Sequence, residues 1–188
     1  CRDVGEGKLP DPEILLDYIL KEIAYEKDLA GLKILVTAGP TQEAVDPVRY
    51  ITNHSTGKMG YAIAKIASRR GAEVTLVSGP TAEEEPAFVN VVNVCSAKEM
   101  FEAVKERAQE QDIIIKAAAV ADYRPKHIRG SKMKKTEDGS DLTLELERTD
   151  DILAYLGAHK KQGQFLCGFA METEDLIANA KRKLEKKR

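Results

Sequence analysis

Long apolar runs are missing from this sequence. None approaches the ~18 residues that a membrane-spanning helix needs, so no membrane partner is expected. Cysteine is scarce and odd in number, confined to Cys1, Cys95 and Cys167. So scattered a set excludes a disulfide framework, offers no zinc-ligand spacing, and points to a reducing, cytoplasmic setting. The start of the chain lacks the pattern of a secretory signal. Excess charge of one sign is missing too. With a net charge of -2 the surface has no general pull on nucleic acid, and no such partner is expected. What is present is globular material: 188 residues, 43% apolar and 32% charged, enough for one domain with a substantial core.

The chain is organised around residues 33–60, KILVTAGPTQEAVDPVRYITNHSTGKMG. The run Ile34-Leu35-Val36 is too short for a helix and reads as a buried parallel strand. A turn-rich segment follows, marked by Gly39-Pro40, Asp46-Pro47 and Asn53-His54-Ser55. Residues 57–70 then carry Met59, Ala62, Ile63, Ile66 and Ala67 at the spacing of one helix face. Strand, long loop and helix N-terminus together make an anion site, and Ser55, Thr56 and Gly57 let a phosphate approach the backbone closely. Most strand-to-helix connections take about two to six residues, and one this long is usually functional or disordered.

Ahead of this stretch, residues 1–10 have no periodicity. Asp11 can cap a helix with Pro12 at its first position, and Ile14, Leu15, Tyr18 and Ile19 give that helix an apolar stripe. Behind it, Gly71 is placed as a helix C-cap, and strands are expected at 73–78 and 88–95. Ser96 should cap a helix over 97–109, with Glu99 positioned for a capping box. A strand over 112–117 follows. The order of elements is that of an α/β, doubly wound, Rossmann-like and mostly parallel sheet flanked by helices. Residues 118–141 break the pattern as an exposed, charged β excursion, and residues 125–140 are expected to be mobile without ligand. Alternation of Leu142, Leu144 and Leu146 predicts a half-buried strand. Thr149 or Asp150 should start a helix, 165–170 form a last strand, and Thr173 cap a final helix.

Chemistry in such a sheet lies at the carboxyl ends of the strands. The 38–57 loop, the segment after Ala117, the turn near Asp150 and Gly168-Phe169 should meet there. Arg49, Lys58, Lys132, Lys134 and Lys135 are the candidate cations, with Asn53, Ser55 and Asp122 as polar partners. Read alone, these residues suggest a phosphorylated small molecule or nucleotide as ligand. A bland reading stays open, in which SKMKK at 131–135 is a solvated loop.

The blocks AGPTQEAVDPVRYITNHSTGKMG, AAAVADY at 117–123, KMKK at 132–135 and GFAMET at 168–173 closely resemble phosphopantothenoylcysteine synthetase of coenzyme A biosynthesis. The resemblance runs from about residue 32 onward. It implies a synthetase domain over 32–188, preceded over 1–31 by a linker and the tail of a flavin-dependent decarboxylase. Cys1 matches the active-site cysteine of that decarboxylase, so FMN would belong only to the missing domain. The family continues beyond the last helix, which implies that 188 is a truncation.

The implied reaction joins 4′-phosphopantothenate to L-cysteine with CTP and Mg²⁺, through an acyl-cytidylate, releasing CMP and pyrophosphate. By match to the family's motifs, Asn53, Arg49 and Lys132 are the catalytic residues. CTP would be held by Ser55, Gly57, Ala117, Ala118, Ala119, Asp122, Lys132, Asp150, Asp151, Ile152, Leu153, Phe169, Lys183 and Lys187. The resemblance implies a homodimer and assigns no ligands to Mg²⁺. Two other classes stand beside it. In an NAD(P)-dependent short-chain reductase, Tyr61 and Lys65 have the right spacing for a Tyr-x-x-x-Lys pair, but on the wrong helix. The third possibility is an inactive interaction module.

Overall fold

The computed structural model describes residues 9–134 and 141–169. In chain order it contains α1 (Pro12–Ile23), β1 (Lys33–Ala38), β2 (Gln42–Ala44), β3 (Tyr50–Thr52), α2 (Lys58–Arg69), β4 (Glu73–Ser78) and β5 (Asn90–Asn93). It continues with α3 (Ala97–Arg107), β6 (Ile113–Lys116), β7 (Tyr123–Pro125), β8 (Leu146–Arg148), α4 (Ile152–His159) and β9 (Phe165–Gly168). Cys1, Lys135, Lys183, Lys187 and the helix expected after Thr173 lie outside the described residues.

Five strands form one sheet in the order β5-β4-β1-β6-β9, every neighbouring pair parallel. The doubly wound sheet expected from the sequence is therefore present. Its centre is apolar because both faces are covered. Ile34, Val36 and Ala38 point to one side, where Tyr61, Ala64 and Ala67 of α2 pack on them. Leu35, Val77 and Ile114 point to the other, against Met100 and Val104 of α3 and Ile152 and Leu156 of α4. Each such Leu or Ile side chain contributes about 1.5–3 kcal/mol on burial. The chain leaves β1 for β4 on one side and enters β6 on the other. That reversal is a topological switch point, outside whose carboxyl ends ligands bind.

Local departures have local causes. The buried face of α2 is Gly60, Tyr61, Ala64, Ala67 and Ser68 rather than the Met59–Ala67 stripe, and Met59 is 46% exposed. A Cβ on Gly60 would stand 2.5 Å from that of Ala38, so the small residues face the sheet and the bulky ones turn away. The helix α1 buries none of its residues. It is held to α2 by Asp17 and Arg69, 2.8 Å apart, and to the loop between β4 and β5 by the edge-on packing of Tyr18 on Phe88. Asp11 stands at its N-cap without a side-chain capping bond.

The strand expected over Leu142–Leu146 is displaced. Leu142, Leu144 and Leu146 are all exposed, and the strand that forms is β8, paired among the described residues with β7 alone. Alternation buries a face only where a third layer covers it, and a two-stranded ribbon offers none. Ser96 caps α3 as expected, accepting from the Glu99 N–H. Glu99 reaches back to the N–H of Cys95, one residue short of a true capping box. The cap of α4 is Asp151, not Thr149 or Asp150.

Candidate functional site

The long connection after β1 is folded rather than loose. Its middle forms the antiparallel hairpin β2–β3. Buried Glu43 accepts from the Ala97 N–H at 2.9 Å, placing a carboxylate at the positive end of α3. At the far end of the connection, Gly57 is the N-cap of α2 with a left-handed φ of 80°. Its N–H donates to the Ser55 hydroxyl at 3.4 Å, and Thr81 donates to the Thr56 carbonyl at 2.6 Å. Gly39, Gly57 and Gly79 meet backbone to backbone here. A Cβ on Gly57 would lie 3.3 Å from the Gly39 nitrogen, and one on Gly39 would lie 2.9 Å from the Gly79 oxygen. The end of β1, the end of β4 and the start of α2 thus form one close-packed corner, suited to a phosphate.

The segment after β6 runs beside this corner. The N–H of Ala117 donates to the Thr37 carbonyl, that of Ala118 to the Thr37 hydroxyl, and that of Ala119 to the Gly39 carbonyl. A nucleotide laid on this segment in this conformation meets its carbonyls and side chains rather than those three donors. The Ala119 carbonyl accepts from the Thr41 N–H and from Asn53 Nδ2 at 3.2 Å. Ala121 is fixed from both sides, its N–H by the buried Thr41 hydroxyl and its carbonyl by the Thr149 hydroxyl.

Beyond it opens a cavity of about 410 Å³. Its wall includes Lys116, Asp122, Arg148, Thr149, Asp150 and Asp151, with Ile152 also among the lining residues. Asp151 also caps α4, accepting from the Ala154 N–H at 3.0 Å. Leu153 lies over Gly168, 2.8 Å from where a Cβ there would stand. Phe169 is 54% exposed, and its N–H reaches the Lys116 carbonyl at 3.4 Å.

Arg49 and the 129–134 segment are joined by a residue that sequence reasoning passed over as a turn. Asp46 is buried. Its Oδ1 accepts from the Val48 and Arg49 N–H groups, and its Oδ2 from Arg49 Nε and Nη2 and from the Met133 N–H. Arg49 Nη2 in turn donates to the Met133 carbonyl at 2.7 Å, and the Arg129 N–H to the Val45 carbonyl at 3.1 Å. The described part of the excursion is therefore tied to the first hairpin by these bonds. The Arg49 side chain, and after it the Met133 N–H, hold the Asp46 carboxyl well below the usual carboxylate range. A lowered folded value stabilises the folded state in full above about pH 5, and the gain is lost as pH falls past the unfolded value near ~3.9 toward the folded one. The gap in urea midpoint between the wild type and Asp46→Asn should be constant from pH 7 to about 5 and close in stronger acid. A gap that widened with acid would contradict this.

The candidates fall in two neighbouring groups. Asn53, Arg49, Ser55, Gly57 and the backbone beside Lys132 cluster round the hairpin and the start of α2. Asp122, Asp150, Asp151 and Ile152 line the cavity, and Asn53 on Ala119 links the groups. Lys132 is exposed and lies next to the clamped Met133. Missed from the sequence were Asp46, Thr41, Lys116, Arg148 and Thr149. The Asp-Pro turn was a usable signal for Asp46, since a short carboxylate before proline caps its own turn. The reductase pair is excluded: Tyr61 is buried, and its hydroxyl is 2.9 Å from the Ser78 hydroxyl. Among the described residues no group of three or more His, Cys, Asp or Glu could hold a metal ion.

Comparison with known proteins bears on the family and the fold. The chain is 50% identical over its whole length to the coenzyme A biosynthesis bifunctional protein CoaBC of Vibrio vulnificus (strain YJ016), covering 47% of that protein. It is 46% identical over 184 residues to the protein of the same name from Escherichia coli (strain K12), covering 97% of this chain and 45% of the relative. It spans about half the length of the curated relatives it matches. The crystal structure of a CoaBC C-terminal domain superposes with a TM-score of 0.75 at 52% identity, over 85% of this chain and 74% of the other. The family model described as the DNA/pantothenate metabolism flavoprotein C-terminal domain matches residues 29–188, and the chain belongs to that family.

Proposed function

We propose that this chain is a phosphopantothenate–cysteine ligase, which joins 4′-phosphopantothenate to L-cysteine at the expense of CTP. The observation that carries the reading is the contact of Asn53 with Ala119 at the switch point, between a glycine corner fit for phosphate and an acid-lined cavity. The carboxylate of phosphopantothenate attacks the α-phosphorus of CTP. Pyrophosphate leaves, and cysteine's amine then displaces CMP from the acyl-cytidylate. Such chemistry needs charge neutralisation more than a protein nucleophile. Lys132 and the start of α2 would take the triphosphate, Asp122 the ribose, and the Asn53 amide the acyl carbonyl. Mg²⁺ would neutralise charge on the triphosphate. It would be carried mainly by phosphate oxygens and waters, the usual coordination of Mg²⁺ on a nucleotide.

The test is incubation with CTP, Mg²⁺ and phosphopantothenate without cysteine, followed by mass spectrometry. An acyl-cytidylate, converted to product when cysteine is added, is the expected result. Its absence, or equal use of ATP, would count against the reading, and no turnover at all would favour an inactive module. Lys132→Ala should raise the CTP concentration needed about tenfold, and Lys134→Ala less than about threefold, because a desolvated phosphate contact outweighs a rim charge. Equal small effects would mean that the segment is a solvated loop.

A cytoplasmic homodimer completes the proposal. Among the described residues no helix is long and apolar enough to cross a membrane. Val48 and Tyr50 of the first hairpin and Tyr123 and Leu146 of the second are each about half exposed, an apolar surface for a second copy to cover. Sedimentation of a stable monomer at micromolar concentration would contradict it.

A further inference from the structure

Asp46 makes five hydrogen bonds while its side chain is fully enclosed. Two of them close its own turn, a bond pattern that needs no distant partner. The other three bind Arg49 and the Met133 N–H, the latter 87 residues away in sequence. Arg49 completes the grip by donating to the Met133 carbonyl. Both backbone polar groups of residue 133 are thus held by one ion pair, buried on the Asp46 side and exposed on the Arg49 side, with an exposed lysine on each side, Lys132 and Lys134. The chain between residues 129 and 134 has no helix or strand of its own to fix it. Its registry against the first hairpin comes from this grip and from the Arg129–Val45 bond.

We propose that Asp46 is a positioning residue that sets where the Lys132 segment stands relative to Arg49 and Asn53, and thereby sets the nucleotide affinity of the site. The proposal deepens the ligase reading above and rests on it for the role of Lys132. Arg49 is the obvious partner for a phosphate, yet its Nε and one Nη are already engaged by Asp46. The pair is more than a link: it fixes one guanidinium and one lysine-bearing segment with a single carboxylate. An amide at position 46 has the same size but no charge. It could accept from fewer of these donors and would turn an N–H₂ toward some of them.

Amide hydrogen exchange tests the grip without nucleotide, and calorimetric titration with CTP tests its consequence. In Asp46→Asn, protection at Met133 should be lost while the amides of β1 and β4 stay protected. CTP affinity should fall about tenfold, and little further when Lys132→Ala is added, since residues acting as one unit are not additive. Met133→Pro leaves Asp46 in place, removes the donor at the other end of the bond and restricts the backbone at Lys132, and should reproduce the loss of affinity even if Asp46→Asn folds poorly. Unchanged protection at Met133 overturns the proposal. So do unchanged affinity in both variants, and losses from Asp46→Asn and Lys132→Ala that simply add. A wild type that binds no CTP would defeat the ligase reading instead, because the exchange result stands apart from it.

Discussion

Replacing Asn53 with aspartate should leave pyrophosphate release running while product formation falls by about 100-fold or more, the scale of one lost oxyanion donor. The side-chain amide is neutral beside phosphates and can donate to a carbonyl. Here Nδ2 is already within 3.2 Å of the Ala119 carbonyl, so the donor is aimed at the segment on which the acyl-cytidylate is read to lie. Aspartate would turn a carboxylate on that carbonyl and on the intermediate's phosphate, repelling both. Magnitude separates this role from simple stapling of two loops. One exposed hydrogen bond contributes about 1 kcal/mol net, whereas a 100-fold loss is about 2.7 kcal/mol of barrier. Assays of pyrophosphate, of product and of protein-bound acyl-cytidylate would decide it. If both half-reactions fall together with the melting temperature, and no intermediate accumulates, Asn53 is only a staple.

The sheet was legible because its strands obey one local rule. Ile34-Leu35-Val36 and Ile113-Ile114-Ile115 are continuous β-branched or leucine runs, and such runs have few places to go except a strand covered on both faces. The Ser96 cap was legible for the same reason, since its partner Glu99 is three residues away. The site was legible only in outline. Asn53, Asp122 and the turn near Asp150 were candidates by their place at the strand ends, and resemblance supplied their roles, whereas the grip of Asp46 on Met133 reaches into the excursion and leaves no periodic trace. The three exposed leucines at 142, 144 and 146 misled because alternation reports a side-chain pattern, not the presence of a layer to bury it. The stripe on α2 misled because apolarity ranked Met59 above Gly60, when contact with Ala38 required the residue without a side chain.

That requirement is strongest at Gly79, where the second large effect is expected. A Cβ there would lie 1.8 Å from the Pro40 oxygen and 2.8 Å from the Pro40 carbonyl carbon. Both are backbone atoms, so no side chain can swing aside to make room. Gly79 cannot retreat easily either, because its N–H donates to the Ala38 carbonyl and its own carbonyl accepts from the Ser78 hydroxyl. The strain must pass into the turn after β1. Thr41 in that turn holds Ala119 and Ala121, so a displaced turn also moves the segment facing Asn53 and the cavity. Gly79→Ala should therefore cost about 3 kcal/mol or more, at the upper end for overpacking, and abolish measurable CTP binding in whatever fraction remains folded. Gly163→Ala is the matched control. Gly163 has a φ of 83° but nothing within 4 Å of an added Cβ. It should cost only the ~1–2 kcal/mol of a left-handed non-glycine residue and leave CTP binding unchanged. Urea midpoints and nucleotide titration of the two variants side by side make the comparison, and equal losses in both would show that the corner of Gly39, Gly57 and Gly79 has no special role.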